Sequence, residues 1–260
     1  MRGHYEEVMN LVDWNSKCQQ YNFRGYGDKD ASVWFVGLEF RGGGSEEDMS
    51  WCCAGERVYE LLPSTIEEER QGKRSATGSK ERGTRIYDYM AFMMQALRDG
   101  KCSQEKLDLA HLLQPGDMSL FTNAYMLPRP SFGADLTPHM QKLGFSSIAQ
   151  YMATVETYRF EMLRRYWKER KRAFAVCFGK SAWPAFKKLF ELEHLEWDPI
   201  VDTNSCAEIQ YYKEAGVILV PFFGRWGKGR GPLPFSVISA VVERMRQDWP
   251  KDIPMPQPIR

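Results

Sequence analysis

The sequence has no window approaching the ~18 consecutive apolar residues of a membrane span. Its opening, Met1-Arg-Gly-His-Tyr-Glu-Glu, lacks the charged-then-apolar order of a secretory signal. An excess of one charge is missing too. The 260 residues carry a formal net charge of +1, which excludes a strongly basic footprint over the whole protein but leaves a local basic patch open. The six cysteines, Cys18, Cys52, Cys53, Cys102, Cys177 and Cys206, form no C-x-x-C. Neither a disulfide framework nor a structural zinc site is implied, and Cys177, within an apolar run, reads as a small core residue. The expected compartment is the cytoplasm. Internal repeats and a domain linker are also absent, so a single domain over residues 1–260 is expected.

What is present suits a globular chain: 43% hydrophobic and 27% charged residues leave enough apolar surface to bury. Aromatics reach 13%, with eight Trp. These fill a core, or in part line a pocket for a flat ligand. Four short β-rich runs stand out: Val33–Gly37, Met118–Asn123, Ala173–Gly179 and Val217–Pro221. Continuous apolar runs of this length suit strands buried on both faces, as in a parallel sheet.

Helical stripes accompany them. Ile86, Tyr89, Met90, Met93 and Leu97 recur at three and four, as do Met152, Val155, Tyr158, Met162 and Tyr166. Arg164, Arg165, Lys168, Arg170 and Lys171 lie at or near the other face of that second helix, a source of non-specific phosphate attraction. Ala182, Phe186, Leu189 and Phe190 form a shorter stripe, and Ile238, Val241, Val242, Met245 and Trp249 a last one. The alternation predicts an α/β fold, a three-layer α/β/α sandwich around a central, mostly parallel four-stranded sheet. Residues Pro63–Thr84 read as a polar surface loop or a lid, and Pro250–Arg260, with four prolines, as an extended, loosely packed tail.

In such sheets ligands sit at the carboxyl ends of the strands. The first end, where Val33–Gly37 runs into Leu38–Gly44, carries Glu39, Phe40, Gly42 and Gly43. Its glycines let the backbone approach a ligand, with Glu39 facing the cleft; the other reading is a glycine-rich turn with a solvated carboxylate. Neither G-x-G-x-x-G nor a complete P-loop is present. At the second end the amide of Asn123 complements a pyrimidine edge, or caps its own turn. At the third, Gly179-Lys180-Ser181 invites a phosphate at a helix N-terminus, while tight packing at the glycine with Ser181 as N-cap explains it equally. At the fourth, Arg225, Lys228 and Arg230 interleave with glycines around Trp226. Such a loop holds a phosphate backbone while the Trp stacks or wedges; otherwise it is a flexible basic turn.

Taken in order, Gly37-Leu-Glu-Phe, Phe121-Thr-Asn, Gly179-Lys-Ser-Ala and Val220-Pro-Phe-Phe-Gly-Arg-Trp resemble the motifs of the uracil-DNA glycosylase superfamily. The resemblance spans roughly Val33–Met245. It implies that Glu39 orients or activates the hydrolytic water, that Asn123 reads an extruded base, and that the segment from Phe222 to Lys228, with Phe223, replaces the loop that clamps DNA phosphates. Two departures are plain: Phe40 stands where the family has proline, and Phe222 or Phe223 where the loop histidine stabilises the departing base. Arg225 is the candidate to compensate as a fixed cation, though not as a proton donor. Trp226 is the candidate wedge, Trp51 or Phe132 the base-stacking aromatic, and Gly37, Lys180, Ser181 and Arg230 complete the expected substrate contacts. The cysteines do not fit the iron–sulfur branch, so no cluster, metal or other cofactor is expected.

The chemistry agrees with that assignment. Cleaving an N-glycosidic bond builds positive charge on the sugar and negative charge on the base, which a carboxylate and an amide donor respectively stabilise. The expected function is hydrolysis of a damaged or modified base from DNA, single- or double-stranded. The alternatives are a non-catalytic reader of a modified base on the same fold and a hydrolase of free nucleosides or nucleotides.

Overall fold

The computed structural model describes residues 24–38, 58–59, 62–71, 85–101, 103–125, 141, 144–200, 208–223 and 232–257. Its strands are β1 (Gly25–Gly27), β2 (Val33–Gly37), β3 (Val58–Tyr59), β4 (Ser119–Asn123), β5 (Phe174–Phe178), β6 (Asp198–Pro199), β7 (Gln210–Tyr212) and β8 (Val217–Val220). The α-helices are α1 (Pro63–Gln71), α2 (Ile86–Asp99), α3 (Ile148–Glu169), α4 (Trp183–Leu189) and α5 (Phe235–Gln247).

All eight strands join one mixed sheet in the order β3-β1-β4-β2-β5-β8-β7-β6. The four strands expected from sequence are its adjacent, mutually parallel centre, β4-β2-β5-β8. A four-stranded sheet is therefore too small a description. β1 adds antiparallel to β4 and carries β3, while β7 adds antiparallel to β8 and carries β6. Gly25 and Gly27 make the first extension possible. Both have positive φ, and a Cβ at either would stand 2.5 and 2.3 Å from the carbonyl oxygens of Phe121 and Ser119. Met118, expected within a strand, turns at φ 61 and only feeds β4.

Side chains alternate across the sheet as strand geometry requires. Val33, Phe35, Phe121, Phe174, Val176, Phe178, Ile218 and Val220 pack against α2 and α5. Trp34, Val36, Leu120, Ala175, Cys177, Val217 and Leu219 pack against α3 and α4. Helices thus cover both faces, which is why β2, β5 and β8 are apolar at every position, while Ser119, Thr122 and Asn123 of β4 are polar and nonetheless buried. The Val33, Trp34, Phe35 and Val36 side chains are all 0% exposed, each contributing about 1.5–3 kcal/mol by leaving water. Burial also pushes the Cys177 thiol well above its ordinary pKa, which keeps it protonated and inert.

Two peripheral expectations change. Pro63–Gln71 is a helix instead of a loop or lid: Pro63 suits a first helical position, Arg70 pairs with Glu67 and Asp88 at 2.6 Å each, and Ile66 is its buried anchor. Residues 72–84 lie outside the described residues. The tail packs more closely than its prolines suggested. Ile253 is buried, its carbonyl accepts from Trp249 Nε1 at 2.9 Å, and Pro256 is buried as well.

Candidate functional site

The parallel register sets Gly37 beside Asn123 at the carboxyl ends of β2 and β4, with Phe178 and Val220 ending β5 and β8 on the same edge. Two backbone bonds prolong the β2–β4 pairing beyond the strands, Ala124 N–H to Gly37 O at 2.9 Å and Tyr125 N–H to Leu38 O at 2.8 Å. Gly37 has to be small. A Cβ there would lie 2.2 Å from Asn123 Oδ1 and 3.2 Å from Phe178 Cζ. The Asn123 side chain therefore lies across Gly37, on the α2–α5 face of the sheet, with the Phe178 ring next to it.

Asn123 is 2% exposed. Its Nδ2 is buried and has no hydrogen-bond partner among the described residues. An Asn capping its own turn would spend that side chain locally; this one holds a buried donor in reserve. Its main-chain carbonyl, by contrast, is doubly satisfied, by Nε and Nη2 of the buried Arg159 at 3.0 and 2.8 Å. Arg159 Nη2 also donates to Thr122 Oγ1 at 3.2 Å.

Behind the edge lies an aromatic column. Phe178 stacks on Phe223 with centroids 4.8 Å apart, Phe223 on Tyr89 at 5.0 Å, and Tyr89 on Phe235 at 4.5 Å. Phe223, expected to contact substrate, is 0% exposed and belongs to this column. Its neighbour Phe222 is the one that faces outward, 40% exposed and 6.3 Å from Phe178. Phe223 O accepts from Leu233 N–H at 3.0 Å, and the Tyr89 hydroxyl donates to Leu233 O at 2.6 Å. The two flanks of residues 224–231 are thereby tied together at the base of the edge.

The third strand end is laid out differently from expectation. Lys180–Ala182 is a short 3-10 turn entered through Gly179 at φ 119, and the residue before α4 is Ala182, so Ser181 is not its N-cap. Ser181 is exposed, and the exposed Lys180 pairs with Glu208 at 2.6 Å, holding that carboxyl below its usual pKa. Glu39, Phe40, Gly42, Gly43, Trp51, Phe132, Arg225, Trp226, Lys228 and Arg230 lie outside the described residues. Glu39 follows Gly37 by two residues and Arg225 follows Phe223 by two.

The basic stretch at and just beyond the end of α3 is paired with carboxylates. Arg164 and Lys168 pair with Glu191, Arg165 with Glu169, Arg170 with Asp30 and Lys171 with Asp252. The helix also runs towards Phe174, the amino end of β5. A cavity of about 310 Å³ opens at that opposite edge, lined by Trp167, Arg172, Tyr211 and Asp248 among others. Among the described residues, no helix is long and apolar enough to cross a membrane.

Two residues of the site carried no signal in the sequence. Arg159 sits in a helix whose apolar period points to Tyr158, and Phe178 looks like one more core aromatic. No protein-family model matches the chain, and no curated protein matches it.

Proposed function

We propose that the carboxyl edge around Gly37 and Asn123 is a nucleobase site, and that the protein is a cytoplasmic glycosylase-like hydrolase. It cuts the N-glycosidic bond of a damaged or modified base in DNA, in the manner of the uracil-DNA glycosylase superfamily. One observation carries this reading: the Nδ2 donor of Asn123, buried beside Gly37 and without a partner among the described residues. A buried donor without an acceptor costs about 1–3 kcal/mol, so a site that keeps one is fitted to a ligand that supplies the acceptor. A base carbonyl is such an acceptor. The four segments that resemble the family's motifs also end on neighbouring parallel strands, so their ends share one edge.

In this mechanism the base leaves the stack and enters against Asn123, whose amide donates to the carbonyl oxygen as charge builds there. A preorganised donor of this kind contributes on the order of 10²–10³ in rate. Glu39, two residues beyond Gly37, aligns water or opposes the positive charge on the sugar. Trp226 fills the space the base leaves, and Arg225, Lys228 and Arg230 hold the phosphates. Arg225 lends a fixed cation to the departing base.

A second reading, a reader that binds the base without cutting it, draws on Phe222 and Phe223. By the resemblance one or the other stands in the place of the family's loop histidine, and neither ring carries a proton or a charge for the base. A cleavage assay separates the two. Labelled oligonucleotides, single- and double-stranded, carry uracil, hypoxanthine, xanthine or hydroxymethylated bases, and are treated with wild type and Glu39→Gln. The glycosylase leaves alkali-labile sites that Glu39→Gln does not, with binding kept. Selective, salt-sensitive binding with no cleavage identifies the reader.

A further inference from the structure

Asn123 is held from the far side of the sheet by a cation. Arg159 springs from α3, on the face where Thr122 points, and reaches the strand end with two nitrogens on one carbonyl oxygen: Nε at 3.0 Å and Nη2 at 2.8 Å from Asn123 O. Nη2 adds the bond to Thr122 Oγ1 at 3.2 Å. The rest of that helix face is packed by Val155, Phe160, Met162 and Leu163, all buried. Filling the interface needs no guanidinium, and burying one is costly unless its hydrogen bonds are good. A paired donation onto a single carbonyl fixes the peptide plane at Asn123, because a planar fork loses its bonds when that plane rotates. With Asn123 held in strand conformation by its pairing with Gly37, the same plane orients the Cα–Cβ bond. On the opposite face Gly37 provides the space in which the amide lies.

We infer that Arg159 is the positioning residue for Asn123. It clamps the backbone so that the side-chain amide points at one place, and it keeps a fixed positive charge beneath the ligand atom that Nδ2 meets. The ligand group suited to this pairing is a carbonyl oxygen that gains negative charge, such as that of a cyclic amide leaving as an anion. The ligand class rests on the nucleobase reading above; the clamp does not.

The test uses the full chain labelled with ¹⁵N, with the Asn123 side-chain amide assigned by its loss in Asn123→Asp. Hydrogen-exchange protection of that amide is compared in wild type, Arg159→Met and Arg159→Lys, with backbone amides of Phe35 and Val176 as internal standards. Arg159→Met is expected to lower Asn123 protection by roughly tenfold while the standards hold. Arg159→Lys, with one donating nitrogen in place of the two-nitrogen fork, falls between. Should Arg159→Met fail to fold, the milder Arg159→Lys decides by the same comparison. Unchanged Asn123 protection, or a loss shared equally by the standards, overturns the clamp. Cleavage of a uracil-containing oligonucleotide is followed in parallel. A fall in kcat at constant KM, partly restored by Arg159→Lys, supports the charge beneath the leaving base. A clamp seen by exchange in a protein that cuts nothing upholds the positioning role and removes the glycosylase.

Discussion

Asn123 and Gly37 share one volume: the space that a side chain on Gly37 would occupy is filled by Asn123 Oδ1, 2.2 Å from where the Cβ would be. Neither residue can change without the other feeling it. Gly37→Ala is expected to cost about 1–3 kcal/mol through overpacking against Asn123 and Phe178. In Asn123→Ala the clash with the amide disappears, so the two substitutions should be non-additive, the double mutant losing less than the sum. Urea unfolding of the four proteins measures the coupling. Additive losses would show that the amide moves aside freely.

A stabilising substitution is expected at the centre of the site. Asn123→Leu removes a buried donor with no partner among the described residues, and relief of that penalty is worth on the order of 1 kcal/mol. The melting temperature should rise or hold while base binding disappears. A clear fall in melting temperature would mean that the amide is needed for the fold.

Adjacent phenylalanines should behave in opposite ways. Phe223, stacked between Phe178 and Tyr89, should cost about 3–5 kcal/mol on truncation to alanine, as large core deletions do. Phe222→Ala should change stability by less than about 1 kcal/mol and act instead on oligonucleotide binding. Denaturant midpoints for the pair settle which ring belongs to the core.

Stability should also carry a pH signature away from the site. Asp117 is buried, and burial pushes its carboxyl up to about 6, against the opposing bonds from Ser119, Arg98 and the Leu113 N–H. A carboxyl with a raised pKa holds its proton more tightly in the folded state. Its contribution is complete below the ordinary value of 3.8 and is lost as pH rises through about 6. Over that window wild type should lose stability relative to Asp117→Asn, by at most roughly 1.4 kcal/mol per pH unit. Parallel stability curves for the two proteins would show that Arg98 keeps Asp117 ionised throughout.

The central strands were legible because a doubly covered strand has no polar face to blur it: Val33–Gly37 is apolar throughout, and its predicted bounds match the observed ones. The flanking strands were not. Gly25-Tyr-Gly27 carries one side chain, and β3 and β6 are two residues each, so their pairing is a backbone matter that hydrophobic pattern does not report. Helix α1 was hidden because, among its described residues, Ile66 alone is buried amid polar and charged neighbours. At the candidate site, the place of Asn123 at the end of a buried strand was legible. Arg159 was missed because a cation on an apolar helix face reads as an interruption of the stripe; its partner is a carbonyl 36 residues away in sequence. Phe222 and Phe223 could not be ranked, since which of two neighbouring rings turns inward depends on Tyr89 and Phe178.

The bond between Phe223 and Leu233, locked by Tyr89, separates two jobs that many proteins entangle. With both ends anchored in the core, the stretch between them can be rewritten as a cassette. Closing a longer insert adds only about 0.6 kcal/mol for each doubling of length. On the proposed function, substrate preference can then change through that stretch while the scaffold beneath stays as it is.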